Sequence, residues 1–204
     1  MPIVSKANGL LAEFALFPVQ PEQQADLREQ LIQIITSLQE NSPGFVSGTI
    51  FQSGDGSQMT SYIQWTDQSA YVASQAIPNF DAPDIRLYEI FASEPKDSEV
   101  TLAPDMHGLI NFGTFTMKHP DNQPRFIKLF RQALDMVSGQ PGLISTHAHR
   151  SLDGWKCINF GHWDSLDDFT AMDTNRPFSP LFGEMLDLAD NEYKKELHTV
   201  VFTT

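Results

Sequence analysis

The chain has 204 residues, enough for one domain or two small ones, with 41% hydrophobic and 19% charged residues, a soluble globular composition that excludes wholesale disorder. Thirteen Lys and Arg against 26 Asp and Glu give a net charge of −13, which repels phosphate backbones and anionic lipid and turns the search away from nucleic-acid and membrane partners. The single cysteine, Cys157, rules out an intrachain disulfide and argues against a cysteine-based zinc site.

In chain order, Met-Pro-Ile-Val-Ser-Lys lacks the basic start and apolar core of a secretory signal, and no apolar run approaches the roughly 20 residues that span a bilayer, so the expected address is the cytoplasm. A strand is expected over Leu10–Phe17, then a helix over about Glu22–Gln39, where Leu27, Leu31, Ile34, Ile35 and Leu38 form one apolar stripe. Asn41-Ser42-Pro43-Gly44 stops that helix. A hairpin of Phe45–Gln52 and Thr60–Trp65 follows around Asp55-Gly56, then a short helix capped at Asp67, then a strand at Leu87–Phe91.

The second half repeats this order at a shift of 98 positions, set by Trp163 against Trp65. Pro141-Gly142 falls on Pro43-Gly44, Ser145 on Ser47, Ser151 on Ser53, Asp153-Gly154 on Asp55-Gly56, and Phe169 on Tyr71. The matching elements are a strand at Leu109–Met117, a helix from about Pro124 to Val137 and a hairpin of Leu143–Arg150 and Lys156–Trp163. A helix over Ser165–Met172 and a closing strand at Leu197–Phe202 complete the copy. An insertion at about 175–195, with a helical stretch Leu181–Leu188, has no counterpart in the first copy. The predicted organisation is a first repeat over 1–93, a polar linker over 94–105 and a second repeat over 106–204.

Each copy reads β-α-β-β-α-β, the ferredoxin-like order, giving an α+β fold. A sheet with helices on one face leaves its other face bare, so the expected arrangement is two repeats packed sheet to sheet as an internal pseudo-dimer, with a further homodimer left open.

The helix ending in Pro43-Gly44-Phe45, the Asp-Gly hairpin and the strand ending at Trp65 or Trp163 followed by a polar pair resemble the antibiotic biosynthesis monooxygenase family. The resemblance implies a tandem member of the dimeric α-β barrel group. It also implies a cofactor-independent monooxygenase that uses O2 on a small aromatic or polyphenolic substrate, with no metal or flavin.

Family monooxygenases carry an Asn four residues before the strand-end Trp, and Asn159-Phe160-Gly161-His162-Trp163 has that spacing. On a strand, positions 159, 161 and 163 share a face, so Gly161 would leave a hollow between amide and indole. The family also places an Asn on its first strand, where Asn111 is the candidate and Gly113 the nearer position in register. The candidate set is therefore Asn159, Trp163 and Asn111 as catalytic residues, with Gly161, Gly113, Phe115 and Trp65 binding substrate. Trp163 reads equally as a core anchor, and Asn159 as a satisfied buried amide.

In the first copy, Ser61 stands for Asn159, Gln64 for His162 and Glu13 for Asn111, so that copy is either a structural half or a site for something else. The alternative function is a non-catalytic module binding an apolar or aromatic molecule. His147, His149 and His162 leave a metal-dependent enzyme as a third reading. Heme degradation would require a histidine after the Trp, and none lies between Asp164 and Asn191. Cys157, mid-strand, reads as a buried inert thiol.

Overall fold

The computed structural model describes residues 1–74, 84–175, 179–192 and 196–204. They contain β1 (Ile3–Ser5), β2 (Leu11–Pro18), α1 (Gln24–Asn41), β3 (Phe45–Ser53), β4 (Gln58–Trp65), α2 (Gln68–Ala73), β5 (Arg86–Glu94) and β6 (Glu99–Thr101). The second half supplies β7 (Leu109–Met117), α3 (Gln123–Val137), β8 (Leu143–Ser151), β9 (Lys156–Trp163), α4 (Leu166–Asn175), α5 (Ser179–Leu188), β10 (Ala189–Glu192) and β11 (His198–Thr203). The predicted order holds, with ends moved by one to three residues. The end of the first copy's second helix, expected at Gln75, lies outside the described residues. No described helix is long and apolar enough to cross a membrane.

The chain divides into two compact units, residues 1–89, 100–106 and 198–204 in the first, and 90–99 and 107–197 in the second. In the first unit the strands run β11-β3-β4-β2-β5, all the given pairings being antiparallel. Helix α1 lays Leu31, Ile35 and Leu38 on a core with Ala15, Phe17, Ile50, Met59, Ile63 and Trp65. In the second unit β10 pairs with β7, β7 with β9, β9 with β8, and Ile90–Glu94 of β5 follows β8. There α3 buries Phe126, Phe130 and Leu134 against Phe115, Met117, Ala148 and Cys157.

The duplication extends to hydrogen bonds. Ser53 Oγ donates to Asp55 Oδ1 at 2.8 Å, and Ser57 N donates to the same oxygen at 3.0 Å. In the second hairpin Ser151 Oγ donates to Asp153 Oδ1 at 2.7 Å and Trp155 N donates at 3.1 Å. Gly56 and Gly154 take the positive φ that such turns need. The bulges also coincide, between Phe45 and Ser47 in β3 and between Leu143 and Ser145 in β8.

The C-terminal strand β11, expected at Leu197–Phe202, runs along β3, His198 opposite Ser53 and Val200 opposite Phe51. Unpaired N–H and C=O groups along β3 accept any strand that reaches them, and alternation within β11 does not name its partner. One expectation, that of a linker without structure, is corrected. β5 runs on to Glu94, and β6 pairs with β1 while burying Val100 and Leu102.

Candidate active site

On the helix-facing side of the second unit's sheet lies a cavity of about 340 Å³. Asn111, Gly113 and Phe115 of β7, Thr146 of β8, and Asn159 and Trp163 of β9 form its sheet side. Phe130 and Ala133 of α3, Phe169, Met172 and Asp173 of α4, Phe182 and Met185 of α5, and Asn191 of β10 close the rest. The wall is mostly hydrocarbon with a few amides, the usual make-up of a small-molecule site.

Strand register explains how the floor is made. Asn111 stands opposite Gly161, and Gly113 opposite Asn159. Each amide therefore has a residue without a side chain beside it. A Cβ on Gly161 would sit 2.9 Å from Trp163 Nε1 and 3.6 Å from Asn159 Nδ2. Gly161 does not itself line the cavity; its missing side chain lets the Trp163 and Asn159 N–H groups lie side by side above it. A Cβ on Gly113 would meet only Asn159 Cβ at 3.6 Å and Asn111 Oδ1 at 3.8 Å, so that glycine keeps open the space between the two amides.

The amide of Asn159 is oriented by a neighbour. Thr146 Oγ1 donates to Asn159 Oδ1 at 2.5 Å, which turns the Nδ2 donor toward the hollow. Asn111 is 6% exposed, and its Nδ2 has no hydrogen-bond partner among the described residues. An unpaired buried donor costs on the order of 1–3 kcal/mol, which a ligand oxygen would recover. Trp163 serves both roles read from the sequence: it packs edge to face on Phe169 at 5.5 Å between centroids, and it lines the cavity.

The first unit uses the same positions differently. Ile63 stands where the second has Gly161, Ala15 for Gly113, and Ile35 for Ala133. Ile63, Ala15 and Ile35 all belong to the buried core. Ile35 lies so close to Gly48, the counterpart of Thr146, that a Cβ there would be 2.4 Å from Ile35 Cγ2. Trp65 is fully buried and donates through Nε1 to Glu13 Oε2 at 3.1 Å. Burial pushes the Glu13 carboxyl up to about 7, partly offset by the Trp65 hydrogen bond. Trp65, a member of the candidate substrate-binding set, does not line the cavity and sits in this separate core.

Among the described residues, the histidines form no metal-holding group. His147 and His149 alternate on β8 with Thr146 and Ala148, and both are fully buried. Burial holds His147 down at about 4 and His149 at about 3, with the neighbouring imidazole adding to each. His162 Nε2 meets the His107 carbonyl at 2.7 Å. Among the described residues, no three His, Cys, Asp or Glu side chains are grouped to hold a metal. Burial raises the Cys157 thiol to about 12, so it stays protonated.

Three polar lining residues escaped the sequence, Thr146, Asp173 and Asn191, as did the unpaired state of the Asn111 amide. Thr146 falls on Gly48 of the first copy, so the repeat gives no sign of a hydroxyl there, and Asn191 lies in the insertion that the first copy lacks.

The model of the family described as antibiotic biosynthesis monooxygenase matches residues 11–82 and again 110–179. The chain belongs to the antibiotic biosynthesis monooxygenase family, in two copies. A tetracenomycin-F1 monooxygenase of Streptomyces glaucescens is 37% identical over 78 residues, covering 38% of this chain and 70% of that protein. Among solved structures, an anthrone oxidase-like protein covers 100% of this chain and 96% of its own at 20% identity, with a TM-score of 0.82. A monooxygenase-like protein of Listeria innocua covers 95% and 96% at 14% identity, with a TM-score of 0.52. These likenesses establish the tandem ferredoxin-like fold of the family.

Proposed function

We propose that the second repeat is a cofactor-independent monooxygenase that oxidises a small aromatic substrate, an anthrone or an electron-rich phenol, with O2. The observation that carries this reading is the pair of side-chain N–H donors, Asn159 Nδ2 and Trp163 Nε1, brought together beside Gly161 by two residues that line an apolar cavity. Family membership and the likeness to a tetracenomycin-F1 monooxygenase support it.

Such a substrate becomes reactive toward O2 when it loses a proton and its ring oxygen carries the charge. Donors fixed in place beside that oxygen stabilise the enolate or phenolate, and the surrounding hydrocarbon strengthens their effect. Asn111 Nδ2 offers a third donor on the same floor. The substrate supplies the electrons. At an anthrone methylene, the carbon gives up two hydrogens and gains one oxygen as a carbonyl, and the second oxygen atom leaves as water. The apolar walls favour a flat aromatic skeleton and admit O2, which needs no polar contact.

The test is oxygen consumption with a panel of anthrones, naphthols and hydroquinones, on protein assayed for metal and flavin. Uptake that disappears in Asn159→Ala supports the reading. Uptake unchanged in Asn159→Ala overturns it, and binding of the same compounds without uptake makes the cavity a carrier site.

A further inference from the structure

The cavity has a second polar end. Asn191 lies on β10, the short strand of the insertion, and stands opposite Phe115 of β7. Paired residues in an antiparallel ladder share a face, so Asn191 joins Phe115 on the wall of the cavity. Asn111 is four residues earlier on β7, which places the two amides roughly 13 Å apart measured along the strand. Gly113 lies between them and adds no side chain, so the cavity stays open along this line.

Asn191 Oδ1 is buried and has no hydrogen-bond partner among the described residues. Its neighbours in the wall include Phe115, Phe182 and Met185, none of which can donate. A buried acceptor left unpaired costs free energy that an apolar residue at the same place would avoid. Nothing in the strand ladder requires an Asn there, since the ladder is made by backbone groups. Asn159 stands opposite Gly113, two residues from Phe115 and across β7 from β10, which puts it roughly 12 Å from Asn191, and Trp163, opposite Leu109, lies farther; both exceed the span of one aromatic ring.

We propose that Asn191 accepts a hydrogen bond from a phenolic hydroxyl at the far end of a fused-ring substrate whose other end rests on the Asn159 and Trp163 donors. The site then selects polycyclic phenols with polar groups at both ends, a preference contributed by an element that the first repeat lacks. The assignment of the reacting end rests on the monooxygenase reading; the binding preference does not.

The experiment uses the full chain and two ligands without an oxidisable methylene, 2,6-dihydroxyanthraquinone and 2-hydroxyanthraquinone, titrated calorimetrically. One additional hydrogen bond predicts that the wild type binds the diphenol about tenfold more tightly. In Asn191→Leu the two affinities come within about twofold of each other. Asn191→Ala, which adds no bulk, gives the same loss of preference and carries the test if the Leu variant does not fold. Equal affinities in the wild type, a preference that survives both substitutions, or binding of neither quinone overturns the proposal. Anthrone oxidation without a diphenol preference removes this inference alone, whereas a diphenol preference without oxygen uptake removes the monooxygenase reading alone.

Discussion

Trp65 Nε1 donates to Glu13 Oε2 at 3.1 Å, whereas the equivalent indole nitrogen of Trp163 lies 2.9 Å from the point where Gly161 would carry a Cβ. One duplicated scaffold therefore uses its strand-end tryptophan in two ways. In the first copy the indole is tied to a buried carboxyl and packed under Ile63; in the second it borders open space. Three exchanges account for most of the difference, Ile63 against Gly161, Ile35 against Ala133 and Ala15 against Gly113, and each removes bulk in the second copy.

The Glu13 carboxyl predicts a pH-dependent cost. Its pKa is raised from 4.5 to about 7 in the folded protein, so the fold favours the protonated form. The associated stability is fully present below pH 4.5 and is lost as pH rises through 7. Glu13→Gln keeps an acceptor for Trp65 and cannot ionise. Urea unfolding should find this variant close to wild type at pH 4.5 and more stable at pH 8, by on the order of 3 kcal/mol. Equal stability of the two proteins at pH 8 would show that the carboxyl is well solvated.

His147 and His149 act in the opposite sense. Both are held neutral by burial, at about 4 and about 3 against a usual 6.5, so their stability contribution is present above pH 6.5 and lost as pH falls. Between pH 5 and 6 the unfolded chain binds about two more protons at these imidazoles and about one fewer at Glu13. These three groups then give a slope near 1.4 kcal/mol per pH unit in the wild type and about twice that in Glu13→Gln. Chemical denaturation at pH 5.0, 5.5 and 6.0 reads the two slopes directly; parallel slopes would contradict the assignment of Glu13.

Much of this was legible in the sequence because the signals are local. Asp55-Gly56 and Asp153-Gly154 mark hairpins, the apolar stripes mark α1 and α3, and alternation along β9 puts Asn159, Gly161 and Trp163 on one face. What stayed hidden depends on partners far along the chain. Trp65 stands at the repeat position of Trp163, but Glu13, reached across from β2, and Ile63, whose bulk replaces Gly161, give it different surroundings. The pairing of β11 with β3 is a choice among edges, which no periodicity encodes. The insertion was visible as extra residues, whereas its place as a cavity wall through Phe182, Met185 and Asn191 required the fold.

Gly161→Ala tests the hollow itself. The added methyl would lie 2.9 Å from Trp163 Nε1, closer than such contacts allow, and 3.6 Å from Asn159 Nδ2. It displaces the indole and so breaks the side-by-side placement of the two donors proposed to hold the substrate oxygen. Oxygen uptake with anthrone should fall by about 100-fold or more, a loss of roughly 3 kcal/mol in transition-state stabilisation. Thermal unfolding should change by only a few degrees, because the atom the methyl meets belongs to an indole that lines the cavity and can shift into it. Retained turnover would place the reacting oxygen elsewhere.

Thr146→Val tests whether Asn159 works as an oriented donor. Valine keeps the shape of threonine and loses the hydroxyl that donates to Asn159 Oδ1 at 2.5 Å. The amide is then free to rotate, and its Nδ2 no longer points reliably at the hollow. The expected loss in kcat/KM is about 10- to 100-fold, with KM changed less than kcat, since an oriented donor matters most as charge develops. The decisive measurement is the double variant. If Thr146 acts only through Asn159, then Thr146→Val adds nothing in an Asn159→Ala background, and the coupling energy equals the single Thr146→Val effect. Additive losses would instead mean that Thr146 contributes to the cavity on its own.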